Sequence, residues 1–324
     1  MKGLRCIICK QRSRDAHVLY RLCCPTCGTL CQKKRDTPLP DLSGYVALVT
    51  GARIGVGEAV ALRLLRGGAQ VIALTRFPAD AARRYEAQPD WSDWHERLTM
   101  HGLDFRHVIG VEEYANHLAA TLPRLDLLVN NAAQTLRLPP TAYAALEAGE
   151  AAPLMLPPLG LPVPIEEAAA HSDSWRLRDH EVSALELVEA QLINAVAPFL
   201  LTSRLKSLLQ KSAPAFVINV TSQEGRFEQK RKSEFHPHTN MAKAALNIFT
   251  RTIADEYRRQ GIWVNAVDPG WVSLQHTSQA PAGISAPFDM EDAAARVLDS
   301  LAVYLTEGTL YSGQLLKDFQ AVPW

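Results

Sequence analysis

VALVTGARIGVG, residues Val46 to Gly57, is the stretch on which the reading of the whole chain turns. An apolar, β-branched run enters Thr50 and Gly51, and Gly55 and Gly57 then open a segment in which Val56, Val60 and Leu64 recur every fourth residue. That order is strand, glycine turn, helix. Glycine lets the backbone turn tightly and come close to a pyrophosphate, while the N–H groups at a helix start favour an anion. Ordinary strand-to-helix connections use glycine too, so the turn gains meaning only from the segments downstream of it. After a stop at Gly67-Gly68, VIALT (Val71–Thr75) reads as a second buried strand. Its end bears on the nucleotide: an acidic residue there binds the ribose hydroxyls of NAD, whereas arginine accommodates a 2′-phosphate. This chain has Thr75-Arg76, with Arg53 inside the glycine turn as a second cation, and NADP is the expected cofactor.

The spacing Thr50-Gly51-x-x-x-Gly55-x-Gly57 resembles the short-chain dehydrogenase/reductase family. Further landmarks come in that family's order: Asp104, Asn130-Asn131-Ala132-Ala133, Asn194, Ser222, Lys243 and Pro269-Gly270. The resemblance runs from about Leu42 to the C-terminus. It implies a doubly wound α/β domain of Rossmann type with a central parallel sheet of about seven strands. It also assigns roles. Gly51, Ile54, Gly55 and Gly57 would hold the diphosphate, and Arg76, with Arg53 in reach, the adenosine end. Asp104 would accept from the adenine amino group, and Asn131 and Ala132 would lie along the adenosine ribose. Pro269, Gly270 and Val272 would pass over the nicotinamide. Ser222 would hydrogen-bond a substrate carbonyl, Lys243 would hold the nicotinamide ribose, and Asn194 would hold a water linking that lysine to solvent.

One position departs from the pattern. The family places a tyrosine four residues before the lysine, so that the amine lowers the phenol pKa and the phenol exchanges a proton with substrate. Here the stretch is Thr239-Asn240-Met241-Ala242-Lys243, and all eight tyrosines lie outside Ser222–Glu256. An aliphatic hydroxyl is much less acidic than a phenol, whose pKa is about 10. His238 and His236, in FHPHT, are candidate replacements because imidazole titrates near neutrality; as turn residues they need have no such role. Tyr143 could swing in. Alternatively, the substrate is a conjugated C=C or C=N that needs no enzyme proton, or the chain binds NADP without turnover. A threonine that usually comes after the Pro-Gly turn is replaced by Leu274, and Gln275–Pro287 reads as a substrate loop. Arg226, Lys230, Arg231 and Lys232 favour an anionic substrate if their loop borders the site, and are otherwise a solvated charged surface.

The first 36 residues form a different unit. They hold all six cysteines and nine Lys/Arg against two Asp, in a chain of formal net charge zero. Cys6-x-x-Cys9 and Cys24-x-x-Cys27 have the spacing of two knuckles that give four thiolates to one structural zinc, with Cys23 and Cys31 as spares. Such a segment has too little apolar content to fold alone, so the metal would supply its folding free energy. Disulfides are the alternative, less suited to a cytoplasmic chain. The positive charge suits nucleic acid or an acidic protein surface, although Tyr20 alone interleaves with the basic residues; otherwise the ribbon packs on the main domain or aids homo-oligomerisation. Lys33–Leu42 reads as linker, with the boundaries 1–36 (ribbon), 37–42 (linker) and 43–324 (dinucleotide domain).

Between Asn131 and Asn194 the chain is longer than one loop and one helix require. The excess, 136–170, carries seven prolines and reads as a loop-rich excursion at the ligand-binding edge of the sheet. It is a candidate lid or substrate wall bearing Tyr143, Leu154, Met155 and Leu156, or else a surface decoration. Composition is that of a globular chain, 47% hydrophobic and 21% charged. No uninterrupted apolar run reaches the roughly 18 residues of a membrane span and no secretory signal is evident, so a cytoplasmic location is expected. The reading is therefore an NADPH-dependent oxidoreductase acting on a small carbonyl or conjugated C=C or C=N substrate. The alternative is a silent NADP-binding regulator whose ribbon engages a protein or nucleic acid.

Overall fold

The computed structural model describes residues 3–134, 140–150, 176–229, 232–272 and 285–324. The cysteine segment supplies a two-stranded ladder, β1 (Leu4–Arg5) and β2 (Arg12–Ser13), and helix α1 (Pro25–Asp36). Then come β3 (Val46–Thr50), α2 (Gly55–Arg66), β4 (Gln70–Thr75), α3 (Pro78–Glu86), α4 (Trp91–Trp94), β5 (Leu98–Gly102), α5 (Val108–Thr121) and β6 (Leu127–Asn130). Next are α6 (Pro140–Ala148), α7 (Ala184–Gln191), α8 (Ala197–Arg204), α9 (Lys206–Leu209) and β7 (Ala215–Val220). The chain ends with α10 (Pro237–Arg258), β8 (Ile262–Asp268), α11 (Met290–Val297), α12 (Asp299–Glu307), β9 (Leu315–Lys317) and β10 (Gln320–Val322).

The main sheet has the order β10-β9-β8-β7-β6-β3-β4-β5. Seven strands are parallel, as the alternation of apolar runs and amphipathic helices requires, and β10 turns back antiparallel on β9 to close one edge. The last strands, β9 and β10, thus form a short hairpin. Alternation along the strands sends side chains to two helical layers. Ala47, Val49, Val71 and Ala73 face α2, α11 and α12, and Leu48, Ile72 and Leu74 face α5 and α8. β3 and β7 are buried along their whole length, which explains their lack of polar residues except at the ends that reach the site.

Two helices frame the site. The helical stretch Ala184–Arg204 is interrupted by a π-turn at Leu192–Val196, centred on Asn194, between α7 and α8. Such bulges open one turn of the ladder and occur often at functional sites. Ala184–Arg204 has the length and mean hydropathy, 1.5, of a membrane span, but it carries Glu186 and Glu189 buried against the body of the fold. Helix α10 starts at Pro237, because proline is preorganised for a first turn. Thr239 and Lys243 therefore share one face of one helix.

The cysteine segment docks on α11 and the start of α12. Lys34 pairs with Asp299 at 2.6 Å, Arg35 with Asp289 at 2.7 Å, and the Tyr20 hydroxyl donates to Asp292 at 2.5 Å. Lys33 to Asp36 belong to α1, so the segment read as linker from Lys33 is helical in its first four residues.

Candidate functional site

The glycine turn is built so that no larger residue fits. A Cβ on Gly57 would lie 2.3 Å from the Gly51 carbonyl oxygen and 2.4 Å from Asn131 Nδ2, and one on Gly51 would lie 2.7 Å from Ala132 Cα. Gly51 and Gly55 both have φ of +67°, the left-handed region that favours glycine. Thr50 Oγ1 accepts from the amides of Asn131 and Ala132, both at 3.0 Å, and Asn131 Nδ2 donates to the Thr50 carbonyl at 3.0 Å. The Asn-Asn-Ala-Ala motif thus ties the ends of β3 and β6 together. Ile54 precedes α2 and supplies no side-chain cap, leaving the first-turn amides of α2 directed at the cavity. That cavity, about 1360 Å³, runs along the carboxyl ends of the strands and is lined by Gly51, Arg76, Asp104, Ser222, Thr239, Lys243 and Gly270 among others.

At the β4 end, Arg76 lies between the rings of Phe77 and Tyr143, 4.5 Å from each centroid, and 3.9 Å from Asp104. Burial opposes ionisation of Asp104, but the Arg106 guanidinium outweighs it and holds the carboxyl below its usual range. Both Asp104 oxygens receive Arg106, so an adenine amino group would have to share them. Arg53 is taken up by Asp80 at 2.8 Å. Asp80 also meets Arg83 and Arg84, so this corner stays cationic. Glu150 accepts from the amides of Ala79 and Asp80 at the start of α3, at 2.8 and 3.0 Å. The described part of the insertion, α6 included, therefore covers the Arg76 end. Tyr143 stacks there against Phe77, at the opposite end from Lys243, which removes it as a replacement proton donor. Leu154, Met155 and Leu156 lie outside the described residues, as do Lys230, Arg231 and Leu274.

At the β7 end, Ser222 lies two residues beyond the strand in extended conformation and its Oγ accepts from the Glu224 amide. The turn is pressed on α10: a Cβ on Gly225 would lie 2.7 Å from the backbone of Lys243, and Asn247 Nδ2 donates to the Gly225 carbonyl at 3.0 Å. This contact sets Ser222 beside Thr239 and Lys243. Lys243 is buried, its Nζ donates to the Val220 carbonyl at 2.9 Å, and desolvation lowers its pKa to about 8. Thr239 Oγ1 is buried, lines the cavity and has no hydrogen-bond partner among the described residues. Asn194 Nδ2 donates to the carbonyls of Ala190 and Gln134 at 2.9 and 3.1 Å, while its Oδ1 is buried with no donor among the described residues. An orphaned acceptor of that kind suits a bound water.

Comparison with known proteins fits this geometry. A family model described as short chain dehydrogenase matches residues 45–149, and one described as enoyl-(acyl carrier protein) reductase matches residues 165–298, which between them cover most of the chain. The chain belongs to the short-chain dehydrogenase/reductase family. An uncharacterized protein of Acanthamoeba polyphaga mimivirus is 29% identical over 90% of this chain and 70% of its own length. The 3-oxoacyl-[acyl-carrier-protein] reductase of Synechocystis is 27% identical over 74% of this chain and 79% of its own. In fold, the chain resembles NADPH-bound carbonyl reductase from chicken fatty liver, with a TM-score of 0.64 and 21% identity over 87% of this chain and all of that one.

Within the family frame, the histidines are displaced from the chemistry. His238 is buried with Nε2 3.7 Å from Glu186, and His236 faces Glu224 at 3.6 Å; neither belongs to the cavity wall. His236 takes a left-handed conformation, φ +43°, just before Pro237. The expectation that His238 meets substrate is therefore not what the geometry provides. Both sit at the start of α10, where sequence proximity to Thr239 does not decide which face they occupy. Pro269, Gly270 and Val272 border the cavity after β8, with the Gly270 amide donating to Asp268 at 2.9 Å.

The cysteines divide into two sets. The sulfurs of Cys6, Cys9, Cys24 and Cys27 all lie within 4.8 Å of one another, with Cys9 and Cys24 at 3.9 Å. A tetrahedral ion with sulfur at about 2.3 Å needs sulfurs about 3.8 Å apart. All six cysteines are free. Burial opposes ionisation of Cys6, but backbone amides of Cys24, Cys9 and Ile8 outweigh it and bring the thiol to about 6. Cys31 instead accepts from Arg296 Nη2 at 3.2 Å, and burial pushes Cys23 up to about 12. The spare pair thus belongs to the ribbon's own apolar core with Tyr20 and Phe288. One group escaped the sequence reading altogether. Ile7, Ile8 and Lys10, between and after the first two cysteines, line the same cavity as Ser222 and Lys243.

Proposed function

We propose that the chain is an NADPH-dependent reductase of a carbonyl or conjugated C=C or C=N substrate, and that Lys243 is its proton source. The observation that carries this reading is the convergence of Ser222, Thr239 and Lys243 on the cavity whose other end is the glycine cradle and Arg76. Gly51, Ile54, Gly55 and Gly57 would hold the diphosphate, Arg76 the 2′-phosphate, and Pro269–Val272 the nicotinamide side. The dinucleotide, when bound, would supply the hydride. Ser222 donates a hydrogen bond to the substrate oxygen and polarises it. An ammonium with a pKa of about 8 is a competent acid near neutrality. Thr239, a hydroxyl one helical turn from Lys243 that can accept from it and donate onward, passes the proton to the substrate oxygen. A water held on Asn194 Oδ1 takes a proton from solvent as it gives one to Lys243. Zn²⁺ on Cys6, Cys9, Cys24 and Cys27 would be structural. The protein is read as cytoplasmic, where reduced thiols persist.

The test is NADPH oxidation by the purified protein over aldehydes, ketones and enones, with Lys243→Ala and Thr239→Val beside wild type. Loss of turnover in both, with dinucleotide binding kept in Thr239→Val, is expected. Turnover unchanged in Thr239→Val would overturn the relay. The missing tyrosine supports a second reading, a silent NADP-binding regulator, and tight NADPH binding without turnover on any substrate class would favour it.

A further inference from the structure

We infer that the first cysteine knuckle is the substrate-side wall of the cavity, so that a metal on the four thiolates sets substrate recognition as well as ribbon stability. This rests on the reading of the cavity as a reductase site. The cavity has two ends fixed by the sheet order: β4, with Arg76 and the insertion helix α6, and β8–β9 on the far side of β7. The knuckle lies at the second end. Ile7 and Ile8 pack with Val272, Phe288 and Phe319 around the buried Cys6, Cys23 and Cys31. Val272 and Phe288 flank the segment after the Pro269-Gly270 turn, and Phe288 lies 3.3 Å from where a Gly270 Cβ would stand.

The attachment is deep. Arg296, only 2% exposed, stacks on Phe288 at 3.9 Å and on Phe319 at 5.1 Å, and donates to Cys31 Sγ and the Asp292 carbonyl. A folded knuckle is therefore joined to the same side chains that shape the nicotinamide side. Lys10 adds a cation. It takes a left-handed conformation, φ +61°, folds its Nζ back on the Ile7 carbonyl, and has no carboxylate within ion-pair distance among the described residues. The wall is thus two isoleucines with an ammonium beside them. The chemistry it fits is a substrate with an apolar body and an anionic group.

The experiment uses the full chain loaded with zinc and NADPH, with 8-anilinonaphthalene-1-sulfonate, an apolar anion, as the probe. Ile8→Ala and Lys10→Glu leave all four thiols in place. Each is expected to weaken the probe about tenfold, the usual scale for trimming a pocket contact, with unchanged zinc content and unchanged NADPH affinity. Hydrogen exchange supplies the second readout. Chelation is expected to speed exchange at 269–272 and 285–288 while leaving β3 and its glycine turn protected. Probe affinity unaltered in both variants, or exchange at those segments indifferent to the metal, would overturn the inference. Absence of NADPH binding by the loaded wild type would instead sink the reductase reading, and the exchange experiment would still judge the wall.

Discussion

Replacing Lys243 by methionine should make the folded protein more stable and the enzyme inert. Burial lowers the Lys243 pKa from 10.5 to about 8. At 1.36 kcal/mol per unit, that shift is a cost to folding of about 3 kcal/mol when the amine is charged in the unfolded chain. The sign comes from proton binding. Between pH about 8 and 10.5 the unfolded chain holds the proton and the folded one does not, so stability rises with pH through that window. The cost is complete below pH about 8 and fades above it. Methionine has a similar length, removes the charge, and loses only the bond to the Val220 carbonyl, worth about 1 kcal/mol. The net expectation is a gain of about 2 kcal/mol at pH 7, shrinking below about 1 kcal/mol at pH 9.5. Urea unfolding of dinucleotide-free wild type and Lys243→Met at both pH values measures it. A variant less stable than wild type at pH 7, or a difference that does not change with pH, would refute the reasoning. A residue that the fold holds at such a cost is one kept for chemistry.

Three other outcomes rest on particular contacts. Gly57→Ala places a methyl within 2.4 Å of the Gly51 carbonyl and the Asn131 amide, both held by backbone or strand-end bonds; it should lower the unfolding free energy by about 2 kcal/mol and abolish dinucleotide binding in calorimetry. Arg76→Glu should reverse the nucleotide preference: NADPH affinity, read by fluorescence titration, falls at least about tenfold while NADH is affected less. If Arg76 serves only to stack between Phe77 and Tyr143, the two cofactors will weaken equally. Thr239→Tyr restores a phenol one turn before Lys243, on the face that lines the cavity. It should raise NADPH oxidation with ketones by about a hundredfold or more, the usual scale of a positioned acid. A rate at or below wild type would show that the pocket is shaped for the shorter hydroxyl.

The sequence by itself determined the architecture and marked the glycine turn as the place where a dinucleotide would lie. Four-residue spacing after Gly55 and the unbroken apolar runs at Val46 and Phe216 leave few alternatives to a buried parallel sheet, and the glycines at 51, 55 and 57 mark a local turn whose geometry depends on near neighbours only. The two C-x-x-C pairs likewise announced a four-sulfur cluster, because each knuckle is a local structure. What only the tertiary structure decided is which distant segments share a wall. His238 and Thr239 are adjacent in sequence, yet one helical step turns the first to Glu186 and the second to the cavity. The insertion was open between lid, substrate wall and surface decoration; its described helix lies over Arg76, while Ile7, Ile8 and Lys10 line the cavity that holds Ser222. Nothing in the first ten residues could reveal this. Their place is fixed by Arg296, Phe288 and Tyr20 meeting across more than 250 positions, and such packing is a property of the folded surface, not of any stretch of chain.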